Sequence, residues 1–225
     1  MTEKTSSEGS RATAFGQQGR LTPVDRFGVW LSGRRIRRYV PAFAGLRIAD
    51  VGCGYNATFA RSVLDDVAEA VLLDVALEPD LKRLPRVRPV EGPLPDTLAK
   101  IAPASVDVVL CTSVLEHLWE PQRALDEMRR ILRPAGVCLV NVPSWRGKWF
   151  LELSAFRLGL SPADEMNDHK AYYDPRDLWP LLVRAGFRPQ DIRLARHKFG
   201  LNTFAAAMVP PGPDPEPEPR SPAGA

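Results

Sequence analysis

The end of the chain most narrows what it can fold into. Two strand-like runs, DIRLAR (191–196) and NTFAAAMV (202–209), are separated only by the five residues HKFGL. So short a link cannot hold a crossover helix, and these strands must pair antiparallel as a hairpin. Upstream the pattern changes. LRIADVG reads as a strand, ATFARSVLDDV as a helix, EAVLLDVAL as a second strand and RVRPVEG as a weak third. ASVDVVLCT is a fourth strand, QRALDEMRRILR a helix with apolar residues three and four apart, GVCLVNVPS a fifth strand and PRDLWPLLVRAGF a helix. Strands alternating with helices imply a parallel sheet covered on both faces. The expected fold is α/β: a doubly wound, mostly parallel seven-stranded sheet, Rossmann-like, with a terminal antiparallel hairpin.

At 225 residues, 44% hydrophobic and 25% charged, the chain fits one domain with a sizeable core. Residues 1–20 are polar and Ser/Gly-rich and read as disordered; residues 210–225, PPGPDPEPEPRSPAGA, read as an extended Pro-rich tail. The ordered domain is expected over 21–209. Its first segment, VDRFGVWLSGRRIRRYVPAF, reads as an amphipathic helix with Phe27, Trp30, Leu31, Ile36 and Val40 on or near one face. Its RRIRR cluster has the chemistry for phosphates or acidic lipid, but a solvated face or the edge of a lid is the expectation.

Net charge is +3, too little to point to a nucleic-acid partner. Cys53, Cys111 and Cys138 are far apart with no C-x-x-C pair, which fits buried thiols in a reducing compartment rather than a disulfide framework or zinc site. The first residues lack the apolar stretch of a secretory signal, and no run approaches the ~20 apolar residues that span a bilayer. A cytoplasmic protein without a membrane span is expected; its oligomeric state is not legible.

IADVGCGYNATFA (48–60) ends the first strand in a glycine turn. Gly52 and Gly54 let the backbone bend tightly and approach a ligand without a Cβ. In a doubly wound sheet such a ligand lies outside the carboxyl ends of the strands. Asp74 ends the second strand, where a carboxylate can accept hydrogen bonds from both hydroxyls of a ribose. These two signals alone leave NAD and other nucleoside ligands open.

The stretch VDVVLCTSVLEHLWEPQRALDEMRRILRPAGVCLVNVPS closes that choice by resemblance. Together with DVGCG, Asp74, the LEH segment Leu115–His117, ILRPAG and the late hairpin, it resembles class I S-adenosylmethionine-dependent methyltransferases over roughly Leu46 to Met208. The order and spacing of these segments carry the likeness. It implies S-adenosylmethionine as cofactor, with Asp50, Gly52, Cys53 and Gly54 near its methionine part and Asp74 at its ribose. Thr112 and Ser113 would face it from the other side. Two positions depart from the family pattern. Asn56 stands where a third glycine is usual; Asn tolerates left-handed backbone, so a left-handed or turn conformation is expected there. After the third strand, where the family often has Gly-Asp, the chain has Gly92-Pro93, leaving Asp96, backbone groups or Leu94 to hold the adenine.

Methyl transfer is an in-line displacement that needs a held acceptor and, for a hydroxyl, a proton acceptor. Of the three histidines, His197 lies between the last strands and is expected at the surface. His117 sits in the LEH segment, beside the cofactor or in a structural role. His169, in NDHKAYYDP, precedes a helix start signalled by Asp174 and Pro175, which places it at the carboxyl edge of the sheet as a candidate base. Tyr172 could orient the acceptor, while Tyr172 or Tyr173 is expected in the core. The insertion 144–173 carries Trp145, Trp149, Phe150 and Phe156, which suit an acceptor pocket or a lid with its own core. Asp164, Glu165, Asp168 and His169 cluster there, but no metal is expected, because the positions after strands four and five read TSV and PSW. The expected reaction is methylation of a sugar, glycan or small-metabolite hydroxyl. N-methylation of a small amine is the alternative within enzymes, a non-catalytic S-adenosylmethionine-binding scaffold the alternative outside them, and NAD-dependent reduction is third.

Overall fold

The computed structural model describes residues 14–17, 23–148 and 170–212. Seven strands form one sheet: β1 Arg47–Val51, β2 Glu69–Asp74, β3 Val87–Glu91, β4 Val106–Thr112, β5 Leu132–Pro143, β6 Ile192–His197 and β7 Asn202–Met208. Their order is β3-β2-β1-β4-β5-β7-β6. The first five run parallel, and β7 lies antiparallel between β5 and β6. The mostly parallel sheet with a terminal hairpin is thus the observed fold. The strand order reverses between the neighbours β1 and β4, and the crevice above that reversal is where a doubly wound sheet binds ligands. β3 is an edge strand, the position where its Pro89 costs no ladder hydrogen bond.

Each sheet face has its own core. On one, α3 (Pro121–Ile131) and α4 (Pro175–Arg184) pack Leu125, Met128, Leu178 and Leu182 against Val51, Val109, Val140 and Ala205. On the other, Ile36, Val40, Phe43 and Ala60 cover Ile48, Leu72, Leu110, Leu139 and Phe204. The helices on this second face are α1 (Pro23–Ile36) and the one-turn α2 (Thr58–Arg61). α4 begins as its sequence signals require, with Asp174 as N-cap, Pro175 at the first helical position, and Asp177 Oδ2 accepting from the Asp174 N–H at 2.9 Å.

Three expectations are corrected. The helix expected over 57–67 shrinks to α2, because Ser62 turns its hydroxyl back onto the Phe59 carbonyl at 2.7 Å and the next residues close i to i−3 bonds instead. α1 does not bury Phe27 and Trp30. It turns inward its small side, Ser32, Gly33 and Ile36. The absence of a side chain at Gly33 lets the Phe59 ring come to 3.1 Å from where a Cβ would stand, so the narrow face docks and the aromatic one stays outside. Finally, residues 14–17 within the segment expected to be disordered form a turn with Ala14 buried. Among the described residues, no helix is long and apolar enough to cross a membrane.

Candidate active site

The crevice is floored by the glycine turn. Gly52 and Gly54 take φ of 68° and 75°, which other residues reach only with strain. A Cβ on Gly52 would stand 2.2 Å from Val114 Cγ2. The turn is therefore packed directly under the segment that leaves β4. Its amides are organised by β2. The Gly52 and Cys53 N–H groups donate to the Leu73 carbonyl at 2.8 and 3.2 Å. Asp74 receives the Gly54 N–H on Oδ2 and the Val75 N–H on Oδ1, both at 2.8 Å. The strand-two acid thus also shapes the loop. Asn56 lies in a turn, as its chemistry suggests, but the left-handed residue is its neighbour Ala57, φ 41°, which caps α2. On the outside, the Tyr55 N–H donates to the Phe15 carbonyl at 2.9 Å, so the 14–17 turn is seated on the loop.

The strand register carries the site across the sheet. Val51 pairs with Leu73 and Cys111, and Cys111 pairs with Val140. One residue further, at the carboxyl edge, come Asp74, Gly52, Thr112 and Asn141. Two residues before them, Leu72, Leu110 and Leu139 belong to the core under α1. By strand alternation, Asp74, Thr112 and Asn141 share that same face.

Asp50, on this face beneath Gly52, is only 6% exposed. Burial, reinforced by the nearby Asp74 charge, pushes its carboxyl up from 3.8 to about 7. Burial and these two carboxylates also raise the half-buried Cys53 thiol, so it is not a nucleophile. Cys111 and Cys138 are buried free thiols. A group near Asp50 that brings positive charge would recover the cost of ionising it.

Beyond β4, Ser113 is left-handed, φ 58°, with its N–H donating to the Asn141 carbonyl at 2.7 Å. This turn directs the chain into the 3-10 turn Leu115–His117, in which Leu115, Glu116 and His117 are all buried. The Glu116 carbonyl accepts from the Lys170 N–H at 2.7 Å, and the Tyr173 hydroxyl reaches the Leu115 carbonyl at 3.4 Å. Tyr173 is therefore the core tyrosine of the pair, its hydroxyl pushed up to about 12 mainly by burial. Tyr172 is half-buried, its ring 5.6 Å from that of Trp145, with Lys148 Nζ 5.8 Å from its centre. His169 lies outside the described residues, as do Trp149, Phe150, Phe156, Asp164, Glu165 and Asp168. After β3, Gly92 donates to the Asp74 carbonyl at 3.0 Å. Leu94 packs half-buried against the core, and Asp96 is drawn away to Arg123 at 2.7 Å. Of the two side chains considered for the adenine, Asp96 is thus engaged at the surface, while Leu94 keeps an apolar face against the core.

Two features escaped the sequence reading. Asn141 is 1% exposed, and neither its amide oxygen nor its amide nitrogen has a protein partner. The available signal was a single polar residue inside the apolar run VCLVNVP. At the β6–β7 turn, Lys198 and Phe199 are both left-handed, and Lys198 Nζ lies 3.5 Å from where a Cβ on Gly28 would stand. Burial lowers that ammonium's pKa, with Glu116 and Asp25 opposing the shift. The Gly200 of this turn marked a positive-φ position, but nothing in the sequence placed Lys198 and Phe199 left-handed as well. His197 is not at the surface as expected. It is half-buried, edge-on to Phe204 at 5.8 Å, and burial, with the charges of Lys198, Arg35 and Arg38, pushes it down to about 4.

Comparison with known proteins agrees with the architecture. Residues 49–140 match the family model described as a methyltransferase domain. A probable S-adenosylmethionine-dependent methyltransferase of Mycolicibacterium smegmatis is 33% identical over 170 residues, 70% of this chain and 58% of that protein. A ubiquinone biosynthesis O-methyltransferase of Psychrobacter arcticus is 27% identical over 66% of this chain and 62% of its own. The chain thus spans about six-tenths of the length of these relatives. Among solved structures, the 1,6-didemethyltoxoflavin-N1-methyltransferase of Burkholderia thailandensis, with bound S-adenosylhomocysteine, superposes with a TM-score of 0.59 at 18% identity. That match covers 83% of this chain and 80% of the other. The fold is shared with these methyltransferases. Over residues 49–140 the chain matches a methyltransferase domain, and it is similar to S-adenosylmethionine-dependent methyltransferases.

Two measurements follow from the geometry. Gly52→Ala forces a Cβ into Val114 at positive φ and is expected to lower stability by about 3 kcal/mol in urea unfolding; adding Val114→Ala should restore part of it. Asp50 binds its proton more tightly folded than unfolded, so stability should fall as pH rises from about 4 to about 7, then level. Asp50→Asn should flatten that window.

Proposed function

We propose that the protein transfers the methyl group of S-adenosylmethionine to a hydroxyl of a sugar, glycan or small metabolite. The observation that carries the cofactor half is the Asp74–Gly54 hydrogen bond at 2.8 Å beside the buried Asp50. It places two carboxylates and two left-handed glycines at one crevice, where a ligand that is cationic at one end and a ribose at the other meets its complements. In this reading Asp50, Gly52, Cys53, Gly54 and Asn56 surround the methionine part, Asp74 takes the ribose hydroxyls, and Leu94 flanks the adenine. Thr112 and Ser113 close the opposite side. When bound, the cofactor supplies the electrophilic methyl. The chain's own residues exclude water, hold the acceptor in line and accept its proton.

The hydroxyl preference rests on the aromatic Trp145–Tyr172 pair beside the crevice and on a histidine base. His169 is proposed for that role from its place before α4, with Tyr172 orienting the acceptor and His117 beside the cofactor. An amine acceptor needs less help from a base and is the second reading; it is favoured if loss of His169 leaves turnover intact. The printed names of relatives support both atoms, an O-methyltransferase in one case and an N1-methyltransferase in another.

Calorimetric titration with S-adenosylmethionine tests the first half. Binding is expected, and Asp74→Ala should weaken it at least about tenfold, the loss of a charge-assisted contact. An unchanged affinity would remove Asp74 from the site, and no binding by the wild type would overturn the methyl-transfer reading. His169→Ala should lower kcat by roughly 10²-fold or more while leaving cofactor affinity unchanged.

A further inference from the structure

We infer that the outer face of α1 and the β6–β7 turn form a docking surface for an anionic lipid bilayer. α1 is mounted inside out for a helix of a soluble core. It buries Ser32, Gly33 and Ile36 and leaves Val24 74%, Phe27 50% and Trp30 55% exposed. Large apolar side chains left in water forgo the stabilisation that burial would give them, so a row of them marks a surface with an occupant.

The exposed positions form one stripe. Arg26, Phe27, Trp30 and Arg34 recur at three- and four-residue spacing, and exposed Arg37 and Arg38 follow in the turn beyond the helix. No exposed carboxylate interrupts it between Pro23 and Arg38; Asp25 is half-buried. The β6–β7 turn packs on the same helix at Gly28 through Lys198 and carries Phe199, 84% exposed. Holding Lys198 and Phe199 both left-handed costs strain, and the result is an ammonium turned toward α1 with an aromatic ring turned outward.

This chemistry selects a bilayer. Trp and Phe sit well at the headgroup level, and Arg side chains can reach lipid phosphates while their stems stay apolar. Four exposed arginines without an acid complement an anionic surface. A single-stranded nucleic acid would need open aromatic faces. Here Phe27 and Trp30 stack on each other at 5.7 Å and 20°, and Arg34 lies 5.9 Å over Trp30. The surface also borders the crevice, since the β6–β7 turn lies at the carboxyl edge of the sheet, where Asn202 pairs with both His197 and Pro143 at the end of β5. An acceptor carrying an apolar tail would reach the site from the membrane plane, a step that rests on the methyl-transfer reading.

The full-length protein, without cofactor, is sedimented with vesicles of phosphatidylglycerol and phosphatidylcholine. Binding is expected, weaker by at least about tenfold on phosphatidylcholine alone. Phe27→Glu/Trp30→Glu should abolish it, and each of Arg34→Glu and Arg37→Glu should weaken it about fivefold or more. Circular dichroism and S-adenosylmethionine titration confirm that the variants stay folded. Wild-type protein left in the supernatant overturns the inference. So does undiminished pelleting of the double variant, or a wild-type dimer in solution that the double variant breaks, which would make a second copy the occupant. Vesicle binding without S-adenosylmethionine binding would overturn the methyl-transfer reading alone; the converse would overturn only this one.

Discussion

The site depends on the missing side chain at Gly52. With no Cβ there, β1 turns at positive φ directly beneath Val114, and the chain leaving β4 settles onto the turn. That contact closes the carboxyl ends of the two central strands into one crevice. It also fixes where everything else must stand. Asp50 is sealed below, Asp74 reaches in from β2 to hold the Gly54 amide, and Ser113 must itself turn left-handed to leave β4 along the Asn141 carbonyl. A protein interior is packed too tightly for these to shift independently.

The electrostatics of the crevice follow from that closure. Two carboxylates near each other in a closed pocket cannot both ionise at low cost, and the more buried one, Asp50, yields. A cationic group beside these carboxylates would offset the cost of ionising Asp50. Nearby, the second face of the sheet gathers basic groups, Arg35 over the Phe204 ring at 5.5 Å and Lys198 reaching toward α1, around a His197 that they help keep neutral. The glycine-turn side carries carboxylates and the flank formed by α1 and the last hairpin carries cations, a division created by packing distant parts of the chain on one face.

Much of this was legible in the sequence because it follows from local rules. The five-residue link HKFGL dictated an antiparallel hairpin, and the alternation upstream dictated a parallel sheet. The glycines and Asp74 were visible because a positive-φ turn and a strand-ending acid leave marks in composition. α1 misled for a definite reason. Its apolar residues lie on both sides, and Phe27, Trp30 and Ile36 read as one face until Gly33, one of the helix's two glycines, proved to be what touches Phe59. Likewise α2 was over-extended, since one hydroxyl-to-carbonyl bond from Ser62 ended a helix that propensity alone would continue.

The sequence by itself determined the strand order's ingredients, the glycine turn and its acid, because these depend on neighbours along the chain. Only the tertiary structure decided that Asn141 lies buried in line with Thr112, that Asp50 holds its proton near neutrality, and that the aromatic side of α1 faces water. Each of those depends on which remote surface comes to rest against the residue. Burial and field are properties of the packed assembly, and no segment carries them alone.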